Sequence, residues 1–139
     1  MKMIDVQNVF FKYPSSENDT IKGICFKVEQ GEIFGFLGPS GAGKSTMQKI
    51  LTGTLRDYRG SVHVFDTEIN RRTSDYYENI GVDFEFPNFY GKFTAIENLK
   101  YFASLYSVKT MDPMELLKKV GLHHDAKKKV SSYSKGMKM

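Results

Sequence analysis

The chain has no tryptophan, one cysteine and four prolines in 139 residues, and each scarcity excludes something. A single cysteine, Cys25, cannot close an internal disulfide, which removes the small stapled scaffolds from consideration. It alternates with Ile24, Phe26 and Val28 in a strand-like run, so it is expected to be a small packing residue. Long apolar runs are absent too. The longest, around Ile33–Leu37, falls far short of the ~20 residues that cross a bilayer. Met1-Lys2-Met3-Ile4-Asp5 lacks the apolar stretch and small-residue cleavage site of a secretory signal. Charge of one sign is scarce: the net charge is +4, and the basic residues gather only at Lys127-Lys128-Lys129. With no aromatics interleaved, that cluster reads as a solvated face, and no direct nucleic-acid partner is expected. Internal repeats and low-complexity linkers are missing as well. With 40% hydrophobic and 26% charged residues, the composition is that of a cytosolic globular domain with a real core.

The patterns then divide the chain. Ile4, Val6 and Val9–Phe11 form an apolar run followed by the turn-rich Pro14-Ser15-Ser16-Glu17-Asn18-Asp19. Ile24, Phe26 and Val28 alternate as a half-buried strand, and Glu29-Gln30-Gly31-Glu32 turns tightly into Ile33–Leu37. That continuous run is expected to be a strand covered on both faces. Met47, Ile50 and Leu51 share one helical face, and Gly53 stands where that helix should stop. Ser61–Phe65 and Ile80–Phe84 read as further strands, with His63 on the polar face of the first. Thr94-Ala95-Ile96-Glu97 is a capping box, and Leu99, Phe102, Ala103 and Leu105–Tyr106 supply the apolar face of the helix behind it. Asp112-Pro113-Met114-Glu115 repeats the start signal for a helix carrying Leu116, Leu117 and Val120 and ending at Gly121. The mixture predicts an α/β fold with an antiparallel portion at its start. His123-His124 has no cysteine or carboxylate at ligand spacing, so no metal is expected there.

Gly38-Pro39-Ser40-Gly41-Ala42-Gly43-Lys44-Ser45 fits G-x-x-x-x-G-K-[ST] at every fixed position, between an apolar run and a helix. The chemistry needs this composition. Backbone N–H groups must turn inward around phosphate, which requires conformations that a Cβ obstructs. A helix opening near Lys44 adds the positive end of its dipole. Lys44 is expected to reach the β- and γ-phosphates, Ser45 to ligate Mg²⁺ and Thr46 to donate to phosphate. The phosphates of a nucleotide and Mg²⁺ are therefore the expected ligands, and the loop alone does not say which kind of P-loop protein carries them.

Three further stretches narrow the family. Phe11-Lys12-Tyr13-Pro14 sets an aromatic upstream of the loop. Ile80–Tyr90, with Glu85 and Pro87 in its middle, leads into Thr94-Ala95-Ile96-Glu97-Asn98-Leu99. Tyr133-Ser134-Lys135-Gly136-Met137-Lys138 stands at the end. In order and spacing these resemble the ATP-binding cassette of ABC transporters across the whole chain, in the exporter type whose signature reads Y-S-K-G-M-K in place of L-S-G-G-Q. The resemblance implies a P-loop NTPase of the cassette type, with a nucleotide-binding core over residues 1–93 and a helical subdomain over 94–139. It makes ATP the nucleotide and Tyr13 the aromatic that stacks on its adenine. Glu85 takes the place of the Q-loop glutamine, where a carboxylate can still hold Mg²⁺-bound water but loses the amide donors. Asn88–Lys92 becomes the surface that meets a coupling helix. Ser134, Lys135 and Gly136 become the signature that contacts the γ-phosphate held by another subunit. Lys135 departs from the usual signature glycine, and Met139 from the usual polar residue.

The implied protein is the ATPase subunit of an exporter. It would act on a separate membrane-spanning permease at the cytoplasmic face of the membrane, as a homodimer or with a paralogous cassette. The Walker B carboxylates and the switch histidine of the family lie downstream of the signature, and Val62-His63-Val64-Phe65-Asp66 is a poor imitation of the former. The chain alone is therefore expected to bind ATP weakly at best, to leave it unhydrolysed and to aggregate. Two other readings stay open: a non-transport ABC ATPase, and a nucleotide-binding module without activity.

Overall fold

The computed structural model describes residues 2–83 and 88–138. They fall into two compact units, Met1–Tyr77 and Glu78–Met139.

In the first unit, β1 (Lys2–Phe11) pairs antiparallel with β2 (Ile21–Glu29) on one side and with β3 (Arg59–Val64) on the other. The short β4 (Thr67–Glu68) continues the sheet in the order β2-β1-β3-β4. Val6 and Val9 are both buried although three positions apart, an offset that simple alternation forbids. A bulge resolves this. Asn8 takes a positive φ of 49°, and the register of β1 shifts against both neighbours there. Gly60 faces the bulge with φ of 102°, where a Cβ would meet the carbonyl oxygens of Gln7 and Asn8. The freed Asn8 N–H donates to Cys25 Sγ at 3.1 Å. Cys25 is exposed rather than packed, because it sits on the outer face of β2, where its sulfur accepts from the bulge.

Phe65 and Asp66 link β3 to β4 with φ of 51° and 61°, the signature of a tight hairpin turn, so Asp66 ends at a turn. Val62 and Val64 point into the core while His63 lies half-exposed on the other face, as expected. Burial alone would raise the Glu68 carboxyl. Bonds from the Tyr58 hydroxyl, the Val62 N–H and the Ser61 hydroxyl outweigh that and hold it below the usual range.

Helix α1 (Lys44–Leu51) buries Thr46, Met47 and Ile50. Its end closes as a Schellman motif: Gly53 N–H donates to Ile50 O at 2.8 Å and Thr54 N–H to Lys49 O at 2.8 Å. Arg72 donates to Gly53 O, and the Tyr76 hydroxyl of α2 (Ser74–Glu78) donates to Leu51 O, so the negative end of the helix is held by donors.

Among the described residues, two expected strands are not present. Ile33–Leu37 lies outside the sheet, with Ile33 and Leu37 fully exposed, since no described strand runs beside it to pair with its backbone. Phe34 and Phe36 instead rest against Phe26 of β2, with ring centroids 5.0 and 5.3 Å away. Ile80–Asp83 likewise belongs to no element, and Phe84 lies outside the described residues.

In the second unit, α3 (Ala95–Ala103) carries the capping box with both reciprocal bonds formed by Thr94 and Glu97. α4 (Pro113–Lys119) starts at Asp112, whose carboxylate accepts from Met114 and Glu115 N–H, and ends at Gly121 in a second Schellman motif. Both helices are shorter on their apolar faces than expected. Leu105 and Tyr106 follow α3 exposed, and of the α4 trio only Leu117 is buried. Leu117 joins Ala95, Ala126, Val130 and Tyr133 in the core of this unit. Lys127, Lys128 and Lys129 are exposed, with Lys128 paired to Asp125 at 2.6 Å.

Asn98 is almost fully buried, and its amide holds the loop before α3. Its Oδ1 accepts from Tyr90 N–H at 2.8 Å, and its Nδ2 donates to Tyr90 O at 3.1 Å and Thr94 O at 3.0 Å. Asn98→Leu keeps the branched shape and the number of heavy atoms and removes all three bonds. It should destabilise this unit by about 2–3 kcal/mol, because polar groups lose their partners. Denaturant unfolding measures the loss, and accelerated hydrogen exchange at the Tyr90 amide locates it.

Candidate functional site

Helix α1 begins without a side-chain cap. Its N-cap is Gly43, with φ of 87°, and no side chain accepts from the first-turn N–H groups. The helical ladder starts only with Met47 N–H donating to Gly43 O at 2.9 Å. The N–H groups of Lys44, Ser45 and Thr46 therefore have no partner within the helix, which makes this end a ready anion site. Gly43 is demanded twice over. Its φ disfavours any side chain, and a Cβ would come within 2.7 Å of Ile21 Cδ1 and 3.0 Å of Thr20 O. The turn entering β2 thus supports the loop from beneath.

Lys44 folds back over the loop. Its ammonium donates to Gly38 O and Pro39 O, each at 2.7 Å. The loop closes on itself through Ala42 N–H to Pro39 O at 3.3 Å, with Gly41 at φ of 82°. Two neutral carbonyls are modest acceptors for an ammonium, and phosphate oxygens form shorter, stronger charge-assisted bonds. Ser45 is exposed, and Thr46 is buried at 6% exposure.

Tyr13 belongs to the same place. Its ring stands edge-on to Phe11 with centroids 4.9 Å apart, and its hydroxyl lies 3.1 Å from Thr46 Oγ1. The structure thus joins the expected base-binding aromatic to Thr46 in the first turn of α1. Nothing in the local sequence announces that contact, which spans 33 positions. The support from Thr20 and Ile21 was equally silent.

The remaining expected residues lie elsewhere. Glu85 falls outside the described residues. Ser134, Lys135 and Gly136 belong to the second unit. Ser134 Oγ accepts from Met137 N–H at 3.3 Å, and Gly136 faces open space on the four-residue α5 (Lys135–Lys138). Tyr133 anchors this segment through a 2.8 Å bond from its hydroxyl to Asp125 O, and burial pushes its phenol up. Val130 and Ser131 N–H donate to Phe93 O and Gly91 O, at 2.9 and 3.0 Å, tying the approach to Ser134 to the exposed Asn88–Lys92 stretch.

The donor set fits a nucleotide phosphate: free N–H groups, one ammonium and two hydroxyls around a glycine loop. Among the described residues no cluster of three or more His, Cys, Asp or Glu could hold a metal. Magnesium would fit here as a companion of phosphate, since it is bound mostly through phosphate oxygens and water rather than by an all-protein cage.

The comparisons with known proteins agree with this chemistry. The sequence profile of the ABC transporter family matches residues 21–139, and the chain belongs to that family. It is similar to a fluoroquinolones export ATP-binding protein of Mycobacterium tuberculosis, at 54% identity over 99% of this chain and 46% of the relative. The bacitracin transport ATP-binding protein BcrA of Bacillus licheniformis is 38% identical over 86% of this chain and 39% of its own length. The chain therefore spans less than half the length of these relatives. Among solved structures, a dimeric ATP-binding cassette in a post-hydrolysis state with ADP and Pi superposes with a TM-score of 0.80, at 26% identity over 98% of this chain and 65% of that one. The fold is that of the P-loop NTPase cassette, with its antiparallel portion and helical part. Among the described residues no helix is long and apolar enough to cross a membrane.

Gly43→Ala tests the packing argument. The added methyl must displace Ile21 or Thr20 and adopt a disfavoured φ, a loss of about 2–3 kcal/mol. Thermal unfolding should show it, whereas the same change at Gly41, where a Cβ meets nothing within 4 Å, should cost less.

Proposed function

We propose that this chain is the nucleotide-binding part of an ATP-binding subunit that powers export through a separate membrane permease. One observation carries the nucleotide-binding part of this reading: the uncapped start of α1, with Lys44 spending its ammonium on the loop's own carbonyls. Lys44 exchanges Gly38 O and Pro39 O for β- and γ-phosphate oxygens of ATP. The N–H groups of the loop and the first turn bind the same phosphates, Thr46 donates a further bond, and Tyr13 offers its ring to adenine. Ser45 would hold magnesium through its hydroxyl, and the metal would supply positive charge against the negative charge on the phosphates. Glu85, which lies outside the described residues, would hold a magnesium-bound water, as the family resemblance implies.

Ser134, Lys135 and Gly136 would meet the γ-phosphate held by a second cassette, identical or paralogous. ATP would then join two copies, and hydrolysis in the whole protein would separate them. Asn88–Lys92 supplies an exposed surface for the permease at the cytoplasmic face. The names of the relatives, which concern export of fluoroquinolones and transport of bacitracin, favour a drug or peptide antibiotic as cargo.

Calorimetric titration with magnesium ATP tests the site. Lys44→Ala should weaken binding at least tenfold, about the worth of one charge-assisted bond, without changing the circular dichroism. Ser45→Ala should weaken binding in magnesium and leave it unchanged in excess chelator. Equal affinity of the wild type and Lys44→Ala would remove the reading.

A further inference from the structure

Thr46 is buried, and its hydroxyl stands 3.1 Å from that of Tyr13. A hydroxyl has one proton to give and two lone pairs to accept with. If Thr46 gives its proton to phosphate, the bond to Tyr13 can run in one direction only, with the phenol donating. A phenol is also the more acidic and better donor of the pair. The ring of Tyr13 is not free to drift, because Phe11 holds it edge-on at 4.9 Å and Phe11 is itself buried. The backbone on either side is fixed as well, by Ser16 N–H to Tyr13 O at 2.9 Å and Thr20 N–H to Phe11 O at 2.7 Å.

We infer that Tyr13 is a positioning residue for the phosphates as well as a surface for the base: its hydroxyl donates to Thr46 Oγ1 and turns the Thr46 proton toward phosphate. The two ends of the nucleotide site are then one hydrogen-bonded unit, polarised in series from phenol to threonine to anion. Tyr13 has this effect even on a ligand that carries no base. The inference rests on the nucleotide reading above.

The probe is magnesium tripolyphosphate, which has the phosphates and lacks the base, titrated beside magnesium ATP. Tyr13→Phe keeps the ring and removes the hydroxyl. It should weaken tripolyphosphate about fivefold, the worth of one hydrogen bond, and weaken ATP by the same factor. In a Thr46→Val background the same change should have no further effect, whereas in Thr46→Ser it should regain its full effect. A residue that merely stabilises the fold would not show that dependence on position 46. Tyr13→Phe binding tripolyphosphate as tightly as wild type overturns the inference, and so does an equal loss in the Thr46→Val background. Tyr13→Leu separates the two tasks. A loss for ATP beyond that for tripolyphosphate supports both tasks, and equal losses remove the base contact while upholding the hydroxyl pair. Tripolyphosphate binding that ignores Lys44→Ala overturns the nucleotide reading, and this inference with it.

Discussion

Everything in the first unit is arranged around a helix that starts without a cap. Gly43 in the left-handed conformation releases the first-turn N–H groups of α1 into the loop instead of spending them on a side chain. In isolation this weakens the helix, since a serine, threonine or aspartate cap contributes about 1 kcal/mol. The opposite end compensates: the Schellman closure at Gly53, the Arg72 guanidinium and the Tyr76 hydroxyl all hold the carbonyl end. Buried Met47 and Ile50 fix the helix to the core between them. The stability of α1 therefore comes from its C-terminus and its apolar face, which leaves its N-terminus free for chemistry.

The antiparallel sheet serves that arrangement. Thr20 and Ile21 stand where the chain enters β2, under the glycine that shapes the loop. Tyr13, just past the end of β1, comes to the same helix turn from the side. The β1–β2 hairpin thus reaches the loop twice, once through the space Gly43 leaves and once through a hydroxyl. The second unit carries its own anchor in Asn98, which fixes the loop before α3, and its own buried tyrosine, which fixes the approach to Ser134.

Much of this was legible because it is local chemistry. Capping at Thr94 and Asp112, the glycine stops at Gly53 and Gly121 and the eight-residue phosphate loop are all written within a few positions, where residue type decides conformation. The failures are equally instructive. Ile33–Leu37 has the composition of a buried strand, but burial needs neighbours, and no described strand flanks it. Cys25 alternates like a core residue, yet the bulge at Asn8 gives its sulfur a backbone partner on the outer face. The same bulge lets Val6 and Val9 share one face, which no period-two reading foresees. The contacts of Tyr13 with Thr46 and of Thr20 and Ile21 with Gly43 join residues distant in sequence, so composition is silent about them. Glu85 was read by position in a motif and lies outside the described residues.

The central claim is that the start of α1 is the anion site, with Lys44 turned from loop carbonyls to phosphate. Backbone amide NMR during titration with magnesium ATP tests it residue by residue. The account predicts that the largest shifts fall on the amides of Gly41–Thr46 and that the Lys44 ammonium protons move with them. Saturable binding that leaves those amides unshifted would contradict it.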